Sequence, residues 1–478
     1  MLSIKFHLTQ PYRDADDDLK AYDLDHYDDD DSGGAEKTLP IFTKGSSLAY
    51  HESNADDPYI TLPDDKDTDE ERDDLEVLPS DNMILTAKVE DEVPQLEVYV
   101  YEDQHDNLFI HHDILLPAIP LCIEWLDLPV GQVYKSINRD QRGNFAAIGT
   151  MDPDIEIWDL DIVDALYPNA ILGQSGSQDP PPEPQKPRKE RKQRKKSKKP
   201  NVDFHVDAIL SLASNRLHRN ILASASADAT VKLWDLSTLK CAKSYSHHRD
   251  KVCSIAWHPD EATILLSGSY DRTVKASDMR TPEAQAPTWA VESDVETISW
   301  DVHAPTYFFV TTESGMLHMH DIRSAPPKPE ATEPVWTLQA HDDAVSSLDV
   351  NSAIPSYLAT GSSDKTVKLW NVTPTGPSMI VSRNVGVGRV FSTRFAPEAE
   401  VAFRLAVSGS KGALQVWDTS TNVGVRRAFA NRVDATKVHH DEERVVMVQA
   451  DDEDDEDDSE SEAQTGRVQN VDRSESEG

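Results

Sequence analysis

Short runs of apolar residues, alternating or clustered and cut by turn residues, recur along most of this chain, and one of them returns at a nearly fixed interval. It ends in Trp-Asp or something close to it: EIWD at Glu156–Asp159, KLWD at Lys232–Asp235, KLWN at Lys368–Asn371 and QVWD at Gln415–Asp418. Two degraded copies, KASD at Lys275–Asp278 and HMHD at His318–Asp321, fill the middle. From Trp234 through Ser277, His320 and Trp370 to Trp417 the steps are 43, 43, 50 and 47 residues. A four-stranded propeller blade takes roughly 40–45 residues. Alternation over short runs bounded by turn residues reads as strand. The pattern therefore predicts an all-β chain built as a seven-bladed β-propeller.

The strands can be placed. Met83–Val89, Leu96–Tyr101 and Leu108–Leu116 give an incomplete first blade, and Met1–Leu8 (MLSIKFHL) alternates in a way that would supply its innermost strand. Leu121–Leu126, Phe145–Thr150 and Ile155–Leu160, with an outer strand near Ile171, give the second. Blades three to seven follow at about 205–246, 247–290, 291–340, 341–386 and 387–430. Trp158 to Trp234 spans 76 residues because an insertion, 174–204, separates blades two and three. The expected organisation is an acidic, mostly disordered region over 1–80, the propeller over 81–430, and an acidic tail over 431–478. Asn431–Ala450 is expected to form a weak helix.

Charge changes the picture next. The net charge is −39, and residues 1–80 carry 23 acidic against 7 basic side chains. Such segments cannot bury enough apolar surface to offset the entropy of ordering. Residues 441–478 carry 16 acidic and 3 basic. Against this background Lys186–Lys199 (KPRKERKQRKKSKK) holds ten basic residues: Lys186, Arg188, Lys189, Arg191, Lys192, Arg194, Lys195, Lys196, Lys198 and Lys199. Such a cluster reads as a nuclear address or a phosphate-binding arm. An otherwise acidic body disfavours general nucleic-acid adhesion, which needs lysine and arginine to displace counterions. It suits basic proteins, ribosomal proteins and histones among them. Ser459 and Ser474 each precede a glutamate by three residues and are candidate phosphosites.

No apolar run approaches membrane-spanning length. Cys122, Cys241 and Cys253 form no CxxC pair, so a reducing, intracellular setting without a membrane partner is expected. No nucleotide-binding, redox or zinc signature is present, and neither a cofactor nor a small-molecule substrate is expected.

Several blades carry a histidine, a hydroxyl residue, an aspartate and a tryptophan in fixed order. These are His205, Ser224, Asp228 and Trp234 in blade three, and His341, Thr360, Asp364 and Trp370 in blade six. A Ser-His-Asp set invites a hydrolase reading. A set that repeats from blade to blade instead fits a buried network that satisfies its own polar groups. Blade four keeps His248, Ser267 and Asp271 but has Ser277 in place of tryptophan, and blade five has His320 there. Loss of the indole should leave local room. Arg280 and Arg323, each two residues after the blade-ending aspartate, imitate an element of cullin-type ubiquitin-ligase receptors; a strand-end salt bridge is the simpler reading.

Beyond the repeats, LPSDNMILTAKVED (Leu78–Asp91), HHDILLPAIPLCIEWLD (His111–Asp127), DAILSLASNRLHRNILASASADATVKLWDL (Asp207–Leu236) and GPSMIVSRNVGVGRVFSTRFAPEAEVA (Gly376–Ala402) resemble the periodic tryptophan protein 1 family of WD-repeat proteins. The resemblance extends over about residues 15–430. It implies a nucleolar, noncatalytic scaffold in large-subunit assembly and pre-rRNA processing, with assembly factors and ribosomal proteins as partners and pre-rRNA contact through the basic loop. It also implies links to rDNA chromatin. The family's opening strand before Trp-Val-Pro-Arg-Gly is absent here. A histone-binding propeller and a ubiquitin-ligase substrate receptor stand as the other readings.

Overall fold

The computed structural model describes residues 77, 82–103, 105–131, 142–163, 165–173, 201–281, 284–373, 376–429, 432 and 444–448. Within them lie seven antiparallel sheets. The first holds β1 (Asn82–Glu90), β2 (Val93–Glu102) and β3 (Asn107–Leu115), and the second β4 (Pro120–Leu126), β5 (Phe145–Thr150), β6 (Ile155–Asp159) and β7 (Ala170–Leu172). The third holds β8 (Ile209–Ser214), β9 (Ile221–Ser226), β10 (Val231–Asp235) and β11 (Lys240–Tyr245), and the fourth β12 (Val252–Trp257), β13 (Ile264–Ser269), β14 (Thr273–Asp278) and β15 (Thr288–Ala290). The fifth holds β16 (Val295–Trp300), β17 (Tyr307–Thr312), β18 (Met316–Asp321) and β19 (Trp336–Gln339). The sixth holds β20 (Ser347–Val350), β21 (Tyr357–Gly361), β22 (Thr366–Thr373) and β23 (Gly376–Asn384). The seventh holds β24 (Val390–Phe395), β25 (Arg404–Gly409), β26 (Leu414–Asp418) and β27 (Val445–Val448).

In the six four-stranded sheets, strand order follows the chain. First strands lie side by side around the ring, β4 with β8, β8 with β12, and so on to β24. The result is a seven-bladed all-β propeller. Each repeat tryptophan enters its core from the third strand and packs on the sheet before it: Trp158 on Leu96 and Val98, Trp234 on Ile157 and Leu172, Trp370 on Phe309 and Leu317, Trp417 on Tyr357 and Leu369. The period of the sequence is thus the period of inter-sheet contacts.

The turns between second and third strands show why the repeat keeps its aspartates. Ala229, Arg272 and Lys365 sit at φ 63°, 62° and 68°, a region costly for side chains with a Cβ. The aspartate just before each one bonds the amide two residues on, as in Thr230 N–H to Asp228 Oδ1 at 2.9 Å. Sheets five and seven use Gly315 and Gly412 at the same place, where glycine has no such cost.

Two features concern ring closure. β1 lies beside β4 in the way that β5 lies beside β8 and β9 beside β12. So β1, β2 and β3 occupy the second to fourth positions of their blade. Among the described residues no strand pairs the inner edge of β1; Met1–Leu8 lies outside them. At the other end the weak helix expected over Asn431–Ala450 is corrected where the structure describes its later part: Val445–Val448 forms β27, antiparallel to β26 with Trp417 opposite Val445. A run of Val-Val-Met-Val fits the pleated edge of a sheet better than a helix. The helix lies earlier, as α1 (Val423–Phe429), which buries Val425 and Phe429.

Candidate functional site

The blade-three quartet comes together by hydrogen bonds. His205 Nδ1 lies 3.0 Å from Asp228 Oδ2 and His205 Nε2 lies 2.7 Å from Ser224 Oγ. The Trp234 indole donates to the same Ser224 Oγ at 2.8 Å. Because an ionised Asp228 can only accept, the imidazole proton sits on Nδ1 facing the carboxylate, and Nε2 of the neutral ring accepts the Ser224 hydroxyl. Thr230 Oγ1 donates to Asp228 Oδ1 at 2.6 Å. Burial opposes charge on Asp228, but the bonds from His205 and Thr230 outweigh it and hold the carboxyl down to about 2. Burial likewise pushes the His205 imidazole down. The set is a neutral histidine against an ionised aspartate.

Blade six repeats this geometry. His341 bridges Asp364 and Thr360 at 2.8 Å each, and Trp370 donates to Thr360 Oγ1 at 2.9 Å. All four blade-three side chains, with His341, Thr360 and Trp370 of blade six, are buried. The blade-three quartet is closed to solvent; in blade six Asp364 alone reaches it, with its side chain 17% exposed. A partner missed by sequence reasoning is the lysine of K-x-W-D. Lys368 Nζ donates to Ala340 O at 2.9 Å, just before the quartet histidine, and Lys275 Nζ does the same to His247 O at 2.5 Å. The signal was available: Lys232, Lys275 and Lys368 all stand two residues before the tryptophan position.

The two blades without tryptophan differ in what takes its place. In blade four the histidine, serine and aspartate still bond, with His248 at 2.8 Å from Ser267 and 3.1 Å from Asp271. Beside Ser277 a cavity of about 60 Å³ is lined by Tyr245 of the preceding blade and by His247 and Ala276 of blade four. In blade five, Trp289 from the outer strand of blade four packs edge-on to Phe308 at 5.1 Å. Phe308 stacks on His320 at 5.3 Å. Among the described residues neither His320 ring nitrogen has a hydrogen-bond partner. Burial, then the neighbouring His318, push His320 down to about 4.

The remaining candidates stay apart. Arg280 and Arg323 each pair with the aspartate two residues before, at 2.7 and 2.6 Å. Lys186–Lys199, Ser459 and Ser474 lie outside the described residues. Among the described residues no group of three or more His, Cys, Asp or Glu could hold a metal ion. The exposed face near blade two carries Leu166, Tyr167 and Trp125, with the Arg216 guanidinium 5.5 Å over the Trp125 ring. On the inner strand of blade five, burial and the nearby Glu313 and Asp294 push Glu296 up to about 7.

Such closed blade networks around a ring of sheets define a WD-repeat propeller. The WD domain, G-beta repeat model matches residues 199–235, 239–276 and 332–371. A chain in the crystal structure of a mitotic checkpoint complex aligns with TM-score 0.50 at 15% identity, over 71% of this chain and 86% of that one, a likeness of fold alone. The chain is 48% identical to an uncharacterized WD repeat-containing protein of Schizosaccharomyces pombe, over 92% of this chain and 81% of that one. It is 39% identical to periodic tryptophan protein 1 of Saccharomyces cerevisiae, over 90% of this chain and 80% of the relative. To the Drosophila melanogaster homolog it is 34% identical, over 76% and 73%. The chain belongs to the periodic tryptophan protein 1 family.

Proposed function

We propose that this protein is a noncatalytic scaffold in assembly of the large ribosomal subunit and pre-rRNA processing, working in the nucleolus. The observation that carries the noncatalytic part is that in both complete His-hydroxyl-Asp-Trp sets the histidine and hydroxyl are buried and each donor meets an acceptor inside the set. A catalytic set should occur once and open onto a pocket. What remains to work with is surface.

Family membership supports the ribosome-assembly setting. The acidic balance of the chain and the crowded carboxylates around Glu296 favour basic partners, as ribosomal proteins are. Leu166, Tyr167 and Trp125 offer apolar contact at one face. The basic run Lys186–Lys199 would carry the nuclear address and touch pre-rRNA.

Sedimentation after nuclease-free lysis tests the reading. The protein should travel with pre-ribosomal particles and move to the top of the gradient after ribonuclease treatment. Migration with nucleosomes would replace the proposal with a histone-binding one. Deleting Lys186–Lys199 should disperse a fluorescent fusion from nucleoli while its melting temperature holds; unchanged nucleolar signal would remove that role from the segment.

A further inference from the structure

The strands of the first blade run longer than their counterparts next door. β1, β2 and β3 have 9, 10 and 9 residues, against 6, 5 and 3 in β5, β6 and β7. Asp103, just past the end of β2, shares Arg404 with Asp418, the last residue of β26. β2 and β26 therefore finish level, and the surplus of β2 lies at its start, where Asp91 and Glu92 make the turn from β1. The hairpin of β1 and β2 thus stands above the face that carries the equivalent turn of blade two, residues 151–154.

One side of this hairpin looks towards blade two. Leu96 packs on Trp158 there and lies opposite Ala87 in the ladder. Val89, two residues after Ala87, points the same way. The connection from β3 to β4 runs between the two turns. Leu116 N–H donates to Pro94 O and Met151 N–H to Ile119 O, both at 2.9 Å. Pro117 and Ile119 so form the floor of a groove, with Val89 on one bank and Met151 on the other. Val89 is 45% exposed, Ile119 49% and Met151 55%. The charge at the banks has one sign: Asp91 and Glu92 on the hairpin tip and Asp152 across from them are all exposed. Lys88 turns to the other side of the sheet, where it pairs with Glu90 and Glu97. Among the described residues no cation pairs with Asp91, Glu92 or Asp152.

We propose, building on the basic-partner reading above, that this groove docks a basic amphipathic segment of a protein partner. Its apolar side chains would lie on Pro117, Ile119 and Met151, and its lysines or arginines would meet the carboxylates of the two banks. Clustered exposed apolar side chains mark an interaction site. Carboxylates on both banks set the sign of the partner's charge and reject an acidic one. The rival occupant is the chain's own basic run, Lys186–Lys199. KPRKERKQRKKSKK has no apolar side chain but that of Pro187, too little to cover the floor.

Fluorescence anisotropy on the purified full-length chain decides it, with two labelled decapeptides, one alternating leucine with lysine and one alternating serine with lysine. The leucine peptide should bind about tenfold more tightly. Equal affinities would overturn the proposal, since diffuse charge alone would then hold both; this comparison needs no variant. Ile119→Ser with Met151→Ser should erase the contrast at an unchanged melting temperature, both side chains being exposed. Leu166→Ser with Tyr167→Ser, at the opposite end of blade two, should keep it. Asp91→Asn, Glu92→Gln and Asp152→Asn together should weaken the leucine peptide about tenfold. A contrast that survives the groove substitutions would overturn the proposal. So would a tenfold gain in affinity on deleting Lys186–Lys199, which would make that segment the occupant. Loss of the contrast in a protein that still travels with pre-ribosomal particles ends this proposal alone; the reverse result ends the ribosomal setting alone.

Discussion

Arg404 and Asp103, 301 residues apart in sequence, meet at 2.5 Å across the seam between the last and first sheets. The same guanidinium lies 2.6 Å from Asp418 of its own sheet, and Arg444 joins the seam through Asp106. Arg404 is 5% exposed, so its charge depends on these carboxylates. Arg404→Ala should strand the buried Asp418 and cost about 3 kcal/mol, seen as a lower urea midpoint. An unchanged midpoint would mean that the seam is held by apolar packing alone.

His205→Ala leaves Asp228 and Ser224 without their shared partner inside the sheet. The expected cost is about 2–3 kcal/mol, read as a fall in melting temperature. Wild-type melting in this variant would remove the network's structural role and reopen the hydrolase reading.

Trp289 fills, from the neighbouring blade, space beside the place where blade five lacks its tryptophan. Trp289→Ala should cost about 3–5 kcal/mol, typical of a buried aromatic cut to alanine. A loss as small as that of an exposed side chain would show that His320 and Phe308 close the space unaided.

Acid should weaken blade five through His320. Its folded value of about 4 lies below the ordinary 6.5. Above pH 6.5 both states are neutral there and the stability is intact. Between 6.5 and about 4 the unfolded chain takes up a proton that the folded one refuses, and stability is lost, by about 3 kcal/mol at most. Glu296 acts in the opposite sense. Its folded carboxyl, near 7, gives stability that fades as pH rises from 4.5 through 7. Subtracting the His320→Phe profile from wild type isolates the histidine; a flat difference would contradict the assignment.

Arg280 and Arg323 are held in bidentate pairs by Asp278 and Asp321 at the protein surface. Replacing both with alanine should leave the melting temperature unchanged and abolish no interaction with a cullin adaptor. Loss of adaptor capture in that double variant would revive the ubiquitin-ligase reading.

Much of this molecule is legible in one dimension, and the reason is periodicity. The Trp-Asp interval marks the third strand of each blade, since each tryptophan must reach the sheet before it. The order His, hydroxyl, Asp, Trp marks the buried quartets, since buried polar atoms need fixed partners. Val445–Val448 was harder to place. A four-residue strand carries no period of its own, and its pairing with β26 is a long-range contact.

The sequence alone determined the number of blades and the order of residues in the quartets, because each is written as a local repeat. Only the tertiary structure decided that Trp289 packs beside the place of a missing indole, that a cavity stays beside Ser277, that Arg404 pairs across the seam, and that among the described residues the inner edge of β1 has no partner strand. Those facts depend on which sheet faces which, and ring geometry brings together residues that the chain keeps far apart.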